Sequence, residues 1–137
     1  MTPITRPAEF QVTEQRSRFL AEVRPAASLD EIKGVVAARR KNLRKANHHV
    51  WACRFHDDQG RLVEQARDDG EVGRPGMALL ELLRHEDLEG MLIVSRIFGG
   101  VKLGPGGVKR AFRAAGQGAL EQLGARSAGP RLKPRLG

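Results

Sequence analysis

The feature that most constrains the fold lies between residues 90 and 123. An apolar run, Gly90–Met91–Leu92–Ile93–Val94, leads through Arg96 into the glycine-rich stretch Phe98–Gly99–Gly100–Val101–Lys102–Leu103–Gly104–Pro105–Gly106–Gly107. A helical pattern follows from Val108 to Leu123. A short apolar run beside glycines reads as a buried strand, and apolar residues at helical spacing read as an amphipathic helix. Strand, glycine turn and helix start place backbone N–H groups at a positive helix end, which favours an anion. On this reading the N–H groups of Gly106, Gly107 and Val108 are unpaired donors, and Lys102, Lys109 and Arg110 add full charges. The spacing is not that of a nucleotide-binding loop, because Pro105 stands where a phosphate-binding lysine is required. A dinucleotide fingerprint fails as well: the glycine spacing differs and no acid follows at ribose distance. A turn that needs glycine for positive φ and close packing accounts for the same residues. No cofactor is expected.

The remaining elements follow from periodicity and turn chemistry. Residues 1–16 read as a leader ending in a short strand, Glu9 to Val12. Ser17 to Val23 sets Phe19, Ala21 and Val23 against charged positions, a half-buried strand. Ser28 with Glu31 three residues on is a capping box, and the helix behind it collects Leu29, Ile32, Val35 and Val36 on one face. His49–Phe55 and Arg61–Ala66 read as a hairpin around Asp57–Gly60. Met77–Leu83 reads as a short apolar helix and Gly90–Ile97 as the central strand. The order β, α, β, β, α, β, α predicts an α+β fold, a mainly antiparallel four-stranded sheet with helices on one face. Trp51, Cys53 and Phe55 share one side of their strand and Val50 and Ala52 the other. Either the sheet is covered twice, or one face is a binding surface. Residues 17–124 are expected as one domain and 125–137 as a basic flexible tail.

Charge narrows the partners. The 137 residues carry 24 Lys and Arg against 16 Asp and Glu, a net charge of +8. Arg39, Arg40, Lys41, Arg44 and Lys45 form one basic group. Arg96, Lys102, Lys109, Arg110 and Arg113 form a second, with no acid between residues 90 and 120, and Arg126, Arg131, Lys133 and Arg135 form a third. Clustered cations suit a polyanion, because each neutralised phosphate releases counterions. Solvated surface is the plain alternative, and the group at residues 39–45 also complements a helix C-terminus. A single cysteine, Cys53, excludes an internal disulfide and fits a reducing compartment, so a cytoplasmic location is expected. No apolar run is long enough to span a bilayer, and no membrane partner is expected.

Three candidate sites remain to be weighed. Asp68–Asp69–Gly70–Glu71, followed by Gly73–Arg74–Pro75–Gly76, brings three carboxylates together. Such a group can hold a cation or supply an acid/base pair. Adjacent acids in a glycine loop also serve as turn and cap residues, here expected to pair with Arg96 or Lys102. Asn47–His48–His49 with Cys53 and His56 contains zinc-ligand types. His48 and His49 point to opposite faces of a strand, however, and no metal site is expected. Cys53, in mid-strand, reads as a small buried hydrophobe. No catalytic residue is assigned.

Taken together these motifs carry a family resemblance. Ala46, His48 and Ala52, then Asp68–Asp69–Gly70–Glu71, then Gly73 and Gly76, then Arg96, Phe98, Gly99, Gly100, Leu103, Gly104, Gly106 and Gly107 before an Ala-rich helix resemble the IMPACT family, whose bacterial branch is the YigZ proteins. The resemblance runs from about Ser17 to Leu123 in the family's order. It implies a domain similar to the second domain of ribosomal protein S-five, with a left-handed βαβ crossover, and no established catalytic chemistry. Eukaryotic members regulate translation under stress by competing for the activator of the kinase that phosphorylates initiation factor 2. For bacterial members a role around nucleic acid or the ribosome follows from the fold. The sequence departs from the family at Val50, where relatives often have cysteine, at Ile97, where they have an aromatic, and in a loop one residue short that reads Gly73–Arg74–Pro75–Gly76. Bacterial relatives usually carry a ferredoxin-like C-terminal domain, where a basic tail is expected here, and eukaryotic members an N-terminal RWD domain, which is not expected in this chain.

The expectation is a non-enzymatic regulatory module that contacts RNA, the ribosome or a translation-related protein through a basic surface. Arg39, Arg40, Lys41, Arg96, Lys102, Gly104, Gly106, Gly107, Lys109 and Arg110 form that surface. The family-motif residues His48, Asp68, Asp69, Gly70, Glu71, Gly73, Gly76, Phe98, Gly99 and Gly100 are expected to meet at one end of the sheet. Two alternatives stand beside it: a protein-interaction module using Trp51 and Phe55, and a phosphate-ester hydrolase or phosphotransferase using Asp68, Asp69 and His48.

Overall fold

The computed structural model describes residues 1–127, and β6 (Leu88–Ile97) runs through the middle of it. Met91, Leu92, Ile93 and Val94 are all fully buried, as a strand covered on both faces requires. On one side β6 pairs antiparallel with β3 (Ser17–Arg24), and on the other with β4 (His48–His56). β2 (Ala8–Glu14) flanks β3 and β5 (Leu62–Arg67) flanks β4, giving the order β2-β3-β6-β4-β5. A two-residue strand, β1 (Thr2–Pro3), pairs parallel with Leu88 and Glu89 of β6. The helices are α1 (Leu29–Asn42), α2 (Pro75–His85) and α3 (Gly104–Ser127).

The α+β class and the mainly antiparallel sheet are as expected, but the sheet has six strands where four were predicted. The helices also occupy both faces. α2 and α3 pack on the side of Val50, Ala52, Leu92 and Val94, where Phe19 meets Phe112 edge-on at 5.1 Å. α1 packs on the other side, closing Ile32 against Cys53, Phe55, Met91 and Ile93, with Val35, Val36 and Trp51 around them. The apolar face at Trp51 and Phe55, expected as a possible docking surface, is therefore under α1, and Phe55 is only 3% exposed. Both sides of β4 are apolar because each receives a helix.

Two crossovers skip a strand: β3 to β4 through α1, and β5 to β6 through α2. A half-turn in the plane of the sheet superimposes the two paths, yet their helices lie on opposite faces. The crossovers are thus of opposite hand and one must be left-handed, against the strong right-handed preference of such connections. That agrees with the crossover implied by the family resemblance.

Three boundaries move. Residues 1–16, expected as a leader with a strand at Glu9–Val12, carry β1, the longer β2 and the buried Ile4. α3 begins at Gly104 and not at Val108, so Gly106 and Gly107 stand in its first turn and Val108 lies inside the helix. α3 also continues to Ser127, past the expected start of the tail at 125. The rest of the expected tail, with Arg131, Lys133 and Arg135, lies outside the described residues.

Candidate functional site

One end of the sheet collects the loops that carry the motifs. Arg18 opposes Ile97, His48 opposes Arg96 and Trp51 opposes Arg67, so the chain reversals at 15–16, 43–47, 68–74 and 98–103 all emerge there. Backbone pins hold them together. The Asn47 N–H donates to the Arg96 carbonyl at 2.8 Å, the Phe98 N–H donates to Asn47 Oδ1 at 2.9 Å, and the Gly99 N–H donates to Ser17 Oγ at 3.1 Å. Ser17 carried no signal in the sequence, because its partners lie some eighty residues away.

Arg96 is the centre of the cluster. It is 6% exposed. Its guanidinium donates to both oxygens of Glu71 at 3.1 and 3.2 Å and lies between two aromatic rings, 5.5 Å from Phe19 and 5.4 Å from Phe98. The expected pairing of the acidic loop with Arg96 is thus made, by Glu71 alone. Asp69 turns instead to Arg40, which donates to both its oxygens at 2.6 and 3.1 Å, and to the His49 N–H at 2.7 Å. Burial works against the Asp69 carboxylate, but the Arg40 and His49 bonds outweigh it and hold its pKa below the usual range. Asp68 accepts from the Gly76 N–H at 2.8 Å, capping the start of α2. His48 places Nδ1 at 2.8 Å from the Asp69 carbonyl and Nε2 at 3.7 Å from Glu71. The three carboxylates face three different partners and do not converge on a common point. Pairing of any of them with Lys102 is not seen.

The loop glycines permit close approach. A Cβ at Gly73, where φ is +83°, would stand 2.4 Å from the Pro105 carbonyl oxygen at the start of α3. A Cβ at Gly99 would meet the Arg16 backbone at 2.2 Å. Contacts that short are essentially excluded, so the loops touch backbone to backbone. Gly70 lies against the His48 ring, while Gly100 is exposed.

The expected anion-binding cations divide into two sets. Arg39 is turned inward: its Nε donates to Ser95 Oγ at 2.7 Å, and its other nitrogens donate to Glu22 and to the Leu20 carbonyl. Burial pulls its pKa down. Arg39 and Arg96 therefore belong to the framework, whereas Arg40 stays half-exposed at the surface with its charge tied to Asp69. Lys41, Lys102, Lys109 and Arg110 are exposed and have no ion-pair partner among the described residues, as do Arg44 and Lys45 on the 43–47 loop. Gly104 and Gly106 are exposed at the start of α3 and Gly107 is half-buried. Cys53 is buried, and desolvation pushes its thiol up to about 11, which makes it inert.

A depression of about 490 Å³ opens between these loops, lined by residues that include His48, Val72, Phe98, Lys102, Leu103 and Val108. Val72 was not marked by any sequence signal.

This glycine-locked loop end on a split α+β sheet defines a class of domain that comparison identifies. Residues 15–120 match the Impact N-terminal domain. A Thermus thermophilus protein called "IMPACT family member in pol 5'region" is 40% identical over 109 residues, covering 79% of this chain and 57% of that one. Rat "Protein IMPACT" is 33% identical over 99 residues, 69% of this chain and 31% of the relative. The chain belongs to the IMPACT family. It spans a little over half of the Thermus relative and about a third of the rat one. Among solved structures, a hypothetical protein superposes with a TM-score of 0.76 at 28% identity, covering 87% of this chain and 59% of that one. The two-domain translational regulator Yih1 superposes with a TM-score of 0.57 at 23% identity over 90% of this chain and 49% of its own, a likeness of fold.

Proposed function

We propose that this chain is a non-enzymatic regulatory module of translation, working in the cytoplasm, that contacts RNA or the ribosome through the basic loop end of its sheet. The family and the fold shared with a translational regulator support the setting. The charge balance at the loop end carries the binding claim. Asp69 is paired with the half-exposed Arg40, Glu71 with the buried Arg96 and Asp68 with the start of α2, leaving Glu14 as an exposed acid there. Lys41, Arg44, Lys45, Lys102, Lys109 and Arg110 stand exposed around them. What faces solvent is thus strongly positive, the footprint of a polyanion partner. The same internal bonds argue against hydrolysis, since the carboxylates that would act as acid and base are already committed.

The test is binding of labelled RNA by the full chain at two salt concentrations. For three or four phosphate contacts, affinity falls about 20- to 50-fold between roughly 50 and 200 mM salt. Changing Lys102, Lys109 and Arg110 together to Glu abolishes binding at the higher salt. Binding that ignores salt, or no binding to any RNA, sinks the proposal.

A further inference from the structure

Six large apolar side chains are exposed among the described residues, and three of them, Val72 (52%), Phe98 (47%) and Val101 (37%), belong to the two loops that frame the depression. Phe98 is more than an exposed ring. Arg96 fixes it from behind, 5.4 Å from its centroid, and Arg96 is itself clamped by Glu71 and by the Phe19 ring. The result is a flat aromatic platform that the framework holds still. Under it, Arg96 Nε is buried without a hydrogen-bond partner among the described residues, so one donor of the guanidinium remains unsatisfied.

The rim decides what fits. Lys102 lies in the lining itself, Lys109 follows on the exposed side of α3, and Arg44 and Lys45 sit on the loop that Asn47 ties to Phe98, while Arg110 turns to a separate depression beside α2. A neutral apolar ligand has no use for such a rim. An acidic peptide matches the charge but has no planar group at each negative charge. An unpaired nucleotide has both, a flat base beside a phosphate, and aromatic platforms with basic borders are how proteins hold single strands. The volume of about 490 Å³ falls in the range of small-molecule sites. Base faces in a duplex are already stacked and cannot lie on a side chain.

We propose that this depression is a site for one unpaired nucleotide of a single-stranded RNA, its base stacked on Phe98 and its neighbouring phosphate at Lys102. The proposal rests on the RNA-binding reading above and adds that bases, not only phosphates, are recognised.

The experiment measures binding of the full chain to three labelled probes of equal length: a single-stranded RNA, the same strand with abasic positions, and an RNA duplex. The intact single strand is expected to bind about 5- to 100-fold more tightly than the abasic strand, as one stacked base allows. Phe98→Ala removes that difference while the salt dependence stays. Phe98 also covers the buried Arg96, so the thermal midpoint of Phe98→Ala is measured beside its binding, and Phe98→Tyr, which keeps that cover, is expected to keep the difference. Lys102→Ala weakens the intact and abasic strands alike. If all three probes bind equally and Phe98→Ala changes nothing, the base site is wrong while the electrostatic RNA reading stands. Displacement of the RNA by an equally charged glutamate–phenylalanine peptide at equal concentration overturns the choice of ligand. Failure to bind any probe removes both proposals.

Discussion

Arg96 carries a full charge at 6% exposure, and only its partners make that tolerable. Desolvating a guanidinium costs several kcal/mol, which Glu71 and the faces of Phe19 and Phe98 offset. Removing one partner leaves the other charge buried alone. Glu71→Ala is therefore expected to lower stability by about 3–5 kcal/mol, read as a drop in the urea midpoint. A loss below about 1 kcal/mol would show that water reaches Arg96 easily. The pairing of an acid in the 68–71 loop with Arg96 was legible in the sequence, because residues 90–120 are free of acids and the acidic loop must find cations. Which acid takes which cation was not. Asp69 meets Arg40 because α1 ends beside the start of β4, a proximity that linear separation does not encode.

At the level of elements, α1 shows what local chemistry specifies on its own. Ser28 accepts from the Glu31 N–H at 3.1 Å and Glu31 accepts from the Ala27 N–H at 2.9 Å, the reciprocal bonds of a capping box shifted by one residue. The same helix contains an avoidable weakness, Gly34, whose Cβ would meet nothing within 4 Å. Gly34→Ala should stabilise the protein by about 0.5–1 kcal/mol, chiefly by restricting the unfolded chain. Thermal denaturation checks this, and an unchanged or lower midpoint would contradict it. α3 shows where local chemistry misleads. Glycines and a proline at residues 104–107 argue against a helix by about 1 kcal/mol for each glycine, yet proline is tolerated in a first turn. Packing of Gly73 against Pro105 sets the start there. β1, two residues long, has no periodicity to detect. The face chosen by each helix was equally hidden, since an apolar stripe tells that a helix is buried and not against which side of a sheet.

For the molecule as a whole, a polar network under α1 links stability to pH. His49 is buried, with Nδ1 2.8 Å from Ser95 Oγ. Arg39 Nε donates to that same oxygen, which ties the imidazole, the hydroxyl and the guanidinium into one buried network. Burial, then the charge of Arg40, holds the His49 pKa below its ordinary 6.5, although Asp69 pulls the other way. Between the lowered folded value and 6.5 the unfolded chain binds more protons, so stability is full above that range and falls as pH drops into it. The urea midpoint is expected to decline from about pH 7.5 to 5.5, and His49→Asn to flatten the decline. An identical slope in the variant would move the effect elsewhere. The central position of β6 has a consequence for the birth of the molecule. Arg18 finds Ile97 and His48 finds Arg96, so the strand that joins the sheet is synthesised after both its neighbours. Such long-range pairing folds slowly and leaves edges open meanwhile. A growing chain therefore carries two separate hairpins, β2–β3 and β4–β5, with a gap one strand wide between them, and becomes a single body only when its last strand arrives.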